Sequence, residues 1–335
     1  MKNSKIIIIA EAGVNHNGNI NNAIKMVDLA SLAGADYVKF QTFNPSEVTT
    51  SDLGLAEYQK KNFKVKNHYQ LLDELKIFPK DFEKIIKRCK KKKIKFLSSP
   101  FDIQSIKLLN KLKLKILKIP SGEINNIPYL RYVGSLKKEI ILSTGMSTMS
   151  EVKDAIKILI ESGTKKKDIS ILHCNTEYPA NIKKLNLMSI KYLKDKLKMR
   201  IGYSDHSIGY EASLMSISLG ATIFEKHFTL NKDSKGPDHK ASLSPKELIE
   251  YVKKLRLFHK SIGKYDKKPY REEMKISKIV RKKIVASEDI VTGELFTNHN
   301  ISTKRAKHGI SAKYWDKVIG KTSKFNFIKD QNIKI

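Results

Sequence analysis

Short apolar runs recur along the chain, each followed by a polar loop and then by apolar residues at helical spacing. The runs Ile6–Ala10, Asp36–Gln41, Lys95–Ser98, Ile116–Ile119, Ile140–Leu142, Ile169–His173, Met199–Tyr203 and Thr222–Glu225 predict eight strands. Between them, Ile20, Ala23, Ile24 and Val27 share one helix face, as do Phe82, Ile85, Ile86 and Cys89, and again Val152, Ala155, Ile156 and Leu159. Two helix starts are marked by capping boxes, in which two side chains satisfy each other's backbone donors: Thr148 with Glu151, and Ser244 with Glu247 behind Pro245. Gly263 should close the last of these helices in a left-handed cap.

Eight strand–helix units in about 260 residues predict an α/β fold, a (β/α)8 TIM barrel, over 1–263. A doubly wound open sheet is the alternative, but the first loop, EAGVNHNG, lacks the dinucleotide fingerprint. A long polar insertion, Asn44 to about Leu75, reads as loop and short helix over the site. A lysine-rich linker with a short helix covers 264–279. Residues 280–335 read as a small, mostly β domain. Its β-like runs are Lys283–Ala286 and Glu294–Thr297, and its core is Trp315, Val318, Ile319, Phe325, Phe327 and Ile328.

Composition changes this picture little. The formal charge is +31, yet only seven of the 65 basic residues are arginine, and the lysines run together in loops and at helix ends. With no recognition motif beside it, that charge predicts no nucleic acid partner; an anionic substrate uses a positive field better. Two cysteines, Cys89 and Cys174, imply reduced, buried thiols and a cytoplasmic protein. The apolar run Ile6–Ala10 is too short for a membrane span, so no membrane partner is expected.

In a barrel the strand ends meet at one rim, and each end here carries a side chain with usable chemistry. These are Glu11, Lys39 and Gln41, Ser99, Lys118 and Ser121, Ser143, Thr176 and Tyr178, Ser204 and His206, and His227. His206 and His227 follow Asp205 and Lys226, and on neighbouring strands they could share one metal ion or simply be hydrogen-bonded rim residues. Lys39 and Lys118 lie inside apolar strands (YVKFQ, ILKIP), unlike the surface lysines, and suit an anion or a Schiff base. Glu11 and Asp238 could orient hydroxyls or move a proton, or could be caps and ion-pair partners. His173 reads as a satisfied histidine of the barrel interior. The classes open at this point are a metal-dependent enzyme, a Schiff-base aldolase using Lys118, and a basic anion- or nucleic-acid-binding protein.

The strings AEAGVNHNG, VKFQTF, SSPFD, KIPSGEI, STGMST, LHCNTEYP, GYSDHS, EKHFTL and GPDH, in this order, resemble the sialic acid synthases. KRAKHGIS and the C-terminal segment resemble that family's antifreeze-like (SAF) domain. The resemblance implies condensation of phosphoenolpyruvate with an N-acetylated amino sugar aldehyde, releasing phosphate. The acceptor would be N-acetylmannosamine, or 2,4-diacetamido-2,4,6-trideoxymannose in a legionaminate synthase. It further implies that His206 and His227 hold a divalent metal, typically Mn2+ with Mg2+ or Co2+ possible, and that Glu11 contacts the sugar; the chemistry of such a condensation gives Glu11 the proton-transfer role as a hypothesis. Lys39, Ser99, Lys118, Ser121, Ser143, Thr176 and Ser204 would bind phosphoenolpyruvate. Gln41, Tyr178 and Asp238 would contact the sugar, with Arg305 reaching it from the partner subunit of a domain-swapped homodimer. Ala306-Lys307 stands where the family usually has Pro-Gly, which loosens the turn after Arg305.

Overall fold

Strand–helix alternation leaves each strand one sequence neighbour on either side, and right-handed crossovers then wind the strands into a parallel barrel. A computed structural model of the chain describes residues 5–50, 52–54 and 67–335. Its contacts divide the chain into two compact units, meeting at Gly263/Lys264.

In the first unit the strands are β1 (Ile7–Gly13), β2 (Tyr37–Thr42), β3 (Lys95–Pro100), β4 (Ile116–Ile119), β5 (Glu139–Ser143), β6 (Ile169–Cys174), β7 (Arg200–Asp205) and β8 (Ile223–His227). Hydrogen-bonded neighbours run β3-β2-β1-β8-β7-β6-β5-β4, every ladder is parallel, and β3 and β4 lie together at the seam. The helices are α1 (Ile20–Leu32), α2 (Pro45–Val48), α3 (His68–Leu75), α4 (Pro79–Lys92), α5 (Ile103–Lys111), α6 (Ile127–Ser135), α7 (Met149–Glu161), α8 (Met188–Leu197), α9 (Glu211–Ser218) and α10 (Pro245–Ser261). Both capping boxes form, on α7 and α10. Gly263, just past α10, has φ +65°, the left-handed region that glycine enters without a Cβ penalty.

Strand alternation sorts side chains onto two faces. Ile9, Tyr37, Leu97, Ile141, Leu172 and Ile223 fill the barrel interior as an apolar plug. The outer face packs on the helices in the main core, which includes Ile8, Val38, Leu117, Ile140, Ile171 and Phe224. Two residues above the plug, at the C-terminal rim, the inward positions turn polar. The insertion after β2 contributes α2 and α3; its residues 51 and 55–66 lie outside the described residues.

The second unit holds α11 (Arg271–Val280), an antiparallel pair β9 (Lys282–Ala286) and β10 (Ile301–Arg305), and α12 (Trp315–Val318). Ile284, Ala286, Ile290, Phe296, Ile301, Val318, Phe327 and Ile333 form its core, with Trp315 and Ile319 packed against it. Two expectations fail here. Glu294–Thr297 is no strand; Leu295 makes only an isolated bridge to Thr322. Phe325 and Ile328 are exposed rather than core residues, because a chain with this little regular structure has no period to place them.

Candidate active site

The rim residues of eight strands come together at the barrel's C-terminal mouth. A cavity of about 160 Å³ there is lined by Glu11, Lys39, Gln41, Ser99, Lys118, Ser121, Ser143, Thr176, Tyr178, Ser204, His206 and His227, all named from the sequence. Glu225, Cys174, Phe101 and Met146 line it as well. Asp238 lies in the adjoining cavity. Arg305 belongs to the second unit, exposed at the end of β10.

Charge alternates around the floor of the mouth. Lys39 Nζ donates to Ser99 Oγ at 2.9 Å and lies 2.9 Å from Glu11 Oε2 and 3.5 Å from Glu225 Oε2. Lys118 Nζ donates to Ser143 Oγ at 2.5 Å and lies 3.8 Å from Glu225 Oε1, which accepts from Ser204 Oγ at 2.9 Å. Burial alone would lift the Glu225 carboxyl, but the ammoniums of Lys118 and Lys39 outweigh it and hold it at about 2. Burial wins at Glu11, whose pKa rises to about 8 although Lys39 opposes the rise. Lys39 is lowered by burial but raised further by Glu11 and Glu225, so it stays charged. Lys118 is lowered by burial, partly restored by Glu225. Two buried lysines therefore share one ionised carboxylate, Glu225, beside a Glu11 carboxyl raised by burial, a setting that suits an anion. The Oε2 atoms of both glutamates lack a hydrogen-bond partner, although each is within ion-pair range of Lys39.

Beside this floor stand the two histidines, their rings 5.6 Å apart. His206 Nδ1–H donates to Asn175 O, which leaves Nε2 as a lone pair, 3.3 Å from Tyr178 Oη and from Ser204 Oγ. His227 Nδ1 has no hydrogen-bond partner and lies 3.8 Å from Asp238 Oδ2. Burial keeps both imidazoles neutral, lowering His206 to about 4 and His227 well below its ordinary value. Burial also raises Asp238 to about 6. Tyr178 stacks on His206 at 4.2 Å and meets His227 edge-on at 5.7 Å. Among the described residues no group of three or more His, Cys, Asp or Glu side chains is arranged to hold a metal ion.

A second cavity of about 240 Å³ opens from the first across the shared residues Gln41, Phe101, Tyr178 and His227. Its remaining wall is mostly apolar: Val14, Phe43, Val48, Leu71, Leu72 and Leu75. Four of its side chains, Val14, Phe43, Leu71 and Leu75, form a cluster of their own. Thus α2 and α3, from the insertion, wall the entrance.

A sequence profile of the NeuB family matches residues 26–267, and one of the SAF domain matches 281–334. The chain belongs to the NeuB family. This NeuB-family chain is 45% identical to N,N'-diacetyllegionaminic acid synthase of Campylobacter jejuni over 331 residues, covering 98% of this chain and 99% of that one. It is 37% identical to the enzyme of the same name from Legionella pneumophila, covering 95% and 90%. The crystal structure of N-acetylneuraminic acid (sialic acid) synthetase from Leptospira borgpetersenii, in complex with citrate, superposes with a TM-score of 0.74 at 33% identity, covering 83% of this chain and 93% of that one. The chain is an enzyme of the synthase class, with a TIM barrel followed by a SAF domain.

Glu225 escaped sequence reasoning. It sits two residues before His227 in FEKH, and its signal was the alternation itself, which puts residues 225 and 227 on one face. His173 corrects another expectation. Leu172 and Cys174 face the interior, so His173 points outward, where it stacks on Tyr203 and its Nε2 bonds Leu185 O at 2.8 Å. Cys174 is a free, buried thiol that lines the mouth, 3.2 Å from Ser121 Oγ. Among the described residues no helix is long and apolar enough to cross a membrane.

Proposed function

We propose that this chain condenses phosphoenolpyruvate with an N-acetylated amino sugar, and that its acceptor is 2,4-diacetamido-2,4,6-trideoxymannose. The observation that carries the reaction is the buried pair of lysines, Lys39 and Lys118, each bonded to a serine hydroxyl, beside two neutral imidazoles in one cavity. The lysines and the hydroxyls of Ser99, Ser121, Ser143, Thr176 and Ser204 bind the phosphate and carboxylate as preorganised donors. Glu11, protonated at neutral pH, holds the proton that the aldehyde oxygen takes as the carbon–carbon bond forms. Gln41, Tyr178 and Asp238 bind the sugar between the two cavities.

The donor set fits a divalent ion. His206 Nε2 is kept as a lone pair by the Nδ1–H bond to Asn175 O, and His227 Nδ1 is an orphaned buried nitrogen. His206 and His227 would hold Mn2+, or Mg2+ or Co2+ in its place, and the ion would supply Lewis-acid polarisation of the sugar aldehyde.

The apolar cavity supports the choice of acceptor. A 6-deoxy sugar with two acetamido groups carries three methyl groups, whereas N-acetylmannosamine has a 6-hydroxyl and one acetamide. Burying a methyl against Val14, Phe43 and Leu75 is favourable, although His68, Gln41 and Asp238 also line this cavity and offer polar partners. The relatives at 45% and 37% identity bear the matching name. The test is phosphate release from phosphoenolpyruvate with Mn2+, with both sugars offered in parallel. Release with the diacetamido sugar is expected. Release with N-acetylmannosamine alone overturns the acceptor, and release with neither overturns the reaction.

A further inference from the structure

Strands β7 and β8 carry an ion pair where a barrel normally packs apolar side chains. Ser204 and His206 face the mouth, so Asp205 faces the opposite side; Glu225 and His227 face the mouth, so Lys226 also faces the opposite side. Asp205 and Lys226 are paired residues of the β7–β8 ladder. Their side chains are fully inaccessible to solvent, with Lys226 Nζ 3.2 Å from Asp205 Oδ1. Around them are Tyr203, Phe224, Phe228 and Tyr251, all buried.

The pair's hydrogen bonds tie it to the chain that follows His206. Asp205 Oδ1 accepts from the Ser207 N–H at 2.9 Å and from Ser207 Oγ at 2.6 Å. Lys226 Nζ donates to Ser207 O. Asp205 Oδ2 accepts from Ser213 Oγ of α9 at 2.7 Å, and Tyr251 of α10 stands behind that hydroxyl at 3.4 Å. His206 is therefore held between two residues of the network, and His227 directly follows a third.

An ion pair in this layer is a poor source of stability. Desolvating two charges offsets their attraction, and apolar residues of the same volume do as well or better. What it supplies is direction. An apolar contact tolerates sliding, while this network ties the backbone on both sides of His206 to the residue before His227.

We infer that Asp205 and Lys226 are positioning residues that set the mutual placement of the His206 and His227 imidazoles, acting from the outer face of the barrel. This rests on the reading of those histidines as metal ligands. Neither residue touches the mouth, so neither is catalytic.

The experiment measures Mn2+ binding by electron paramagnetic resonance on the full chain, without substrate. The variants are D205N/K226M, which removes both charges while keeping shape, and His227→Ala as the ligand control. The parent should bind Mn2+ and His227→Ala should lose it. D205N/K226M should keep the parent's thermal midpoint yet bind Mn2+ about tenfold more weakly, as loss of groups that orient metal ligands does. Calorimetric binding of phosphoenolpyruvate should stay within about twofold, because the lysines and serines that face the anion are untouched. Parent-like Mn2+ affinity in D205N/K226M overturns the positioning role and leaves the histidine reading standing. A parent that binds no Mn2+, or a His227→Ala variant that binds as the parent does, overturns both. Should D205N/K226M fail to fold, Ser213→Ala decides: it removes only the hydroxyl on Asp205 Oδ2, and about threefold weaker Mn2+ binding is expected. Unchanged affinity in Ser213→Ala overturns the inference.

Discussion

At the scale of the residue, the mouth is a problem of balancing charges that are buried from solvent. Lys39 and Lys118 are both buried, and the charges within reach of them are the two carboxyl groups Glu11 and Glu225. Glu225 touches both lysines, which is why it stays ionised while Glu11 takes up a proton. Glu225→Gln removes the shared counter-charge and leaves two buried lysines beside one carboxyl. Breaking a buried pair in this way costs about 3–5 kcal/mol, at the lower end if Glu11 ionises in compensation. Urea unfolding should show that loss, and phosphate release should fall with it, since the lysines lose the anchor that aims them. A wild-type midpoint in Glu225→Gln would mean that Glu11 alone neutralises the pair. The sequence displayed Lys39 and Lys118 plainly, as charges inside apolar strands. It did not display Glu225, since a Glu-Lys pair near a strand end looks like any solvated rim.

At the scale of the element, strand period did most of the work. Inward positions on β1 to β8 are two residues apart, so an apolar plug residue is followed by a rim residue with chemistry on it: Ile9 then Glu11, Tyr37 then Lys39, Leu97 then Ser99, Ile141 then Ser143. Gly202 is the inward position of β7 at plug level. A Cβ built there would overlap Ile223 O and the Leu172 side chain. Gly202→Ala should therefore cost about 1–3 kcal/mol through overpacking, seen as a lowered thermal midpoint. Gly122→Ala, where the added methyl meets nothing within 4 Å, serves as the control and should leave that midpoint unchanged. Equal midpoints for the two variants would show that the barrel wall relaxes to admit the methyl. Local signals also placed the helix starts, because a capping box is a contact between residues three apart. The run Glu294–Thr297 misled for the opposite reason. Its partner, Thr322, is distant in sequence, and a single bridge leaves no periodic trace.

At the scale of the whole molecule, two units with separate apolar cores stand on one chain. We propose that the active assembly is a domain-swapped homodimer in which Arg305 serves the partner's barrel. Mixing two inactive variants tests this directly. Arg305→Ala keeps an intact barrel, and His227→Ala keeps an intact C-terminal unit. After equal mixing and subunit exchange, half the dimers are mixed and each holds one complete site, so about a quarter of parental activity should return. No recovery, with exchange verified, would mean that Arg305 acts within its own chain or not at all. The barrel could be read from the chain alone, because hydrophobic period, strand count and capping are local and repeat eight times, and so could most of the side chains at its mouth, because a parallel barrel sends every strand end to one rim. The interior or exterior facing of His173, the sharing of Glu225 between two lysines, the apolar chamber built with α2 and α3, and the buried Asp205–Lys226 pair behind the histidines were decided only in three dimensions. Each depends on which residues of different strands and helices meet, and on how far water is excluded where they do, and neither quantity is carried by any single stretch of sequence.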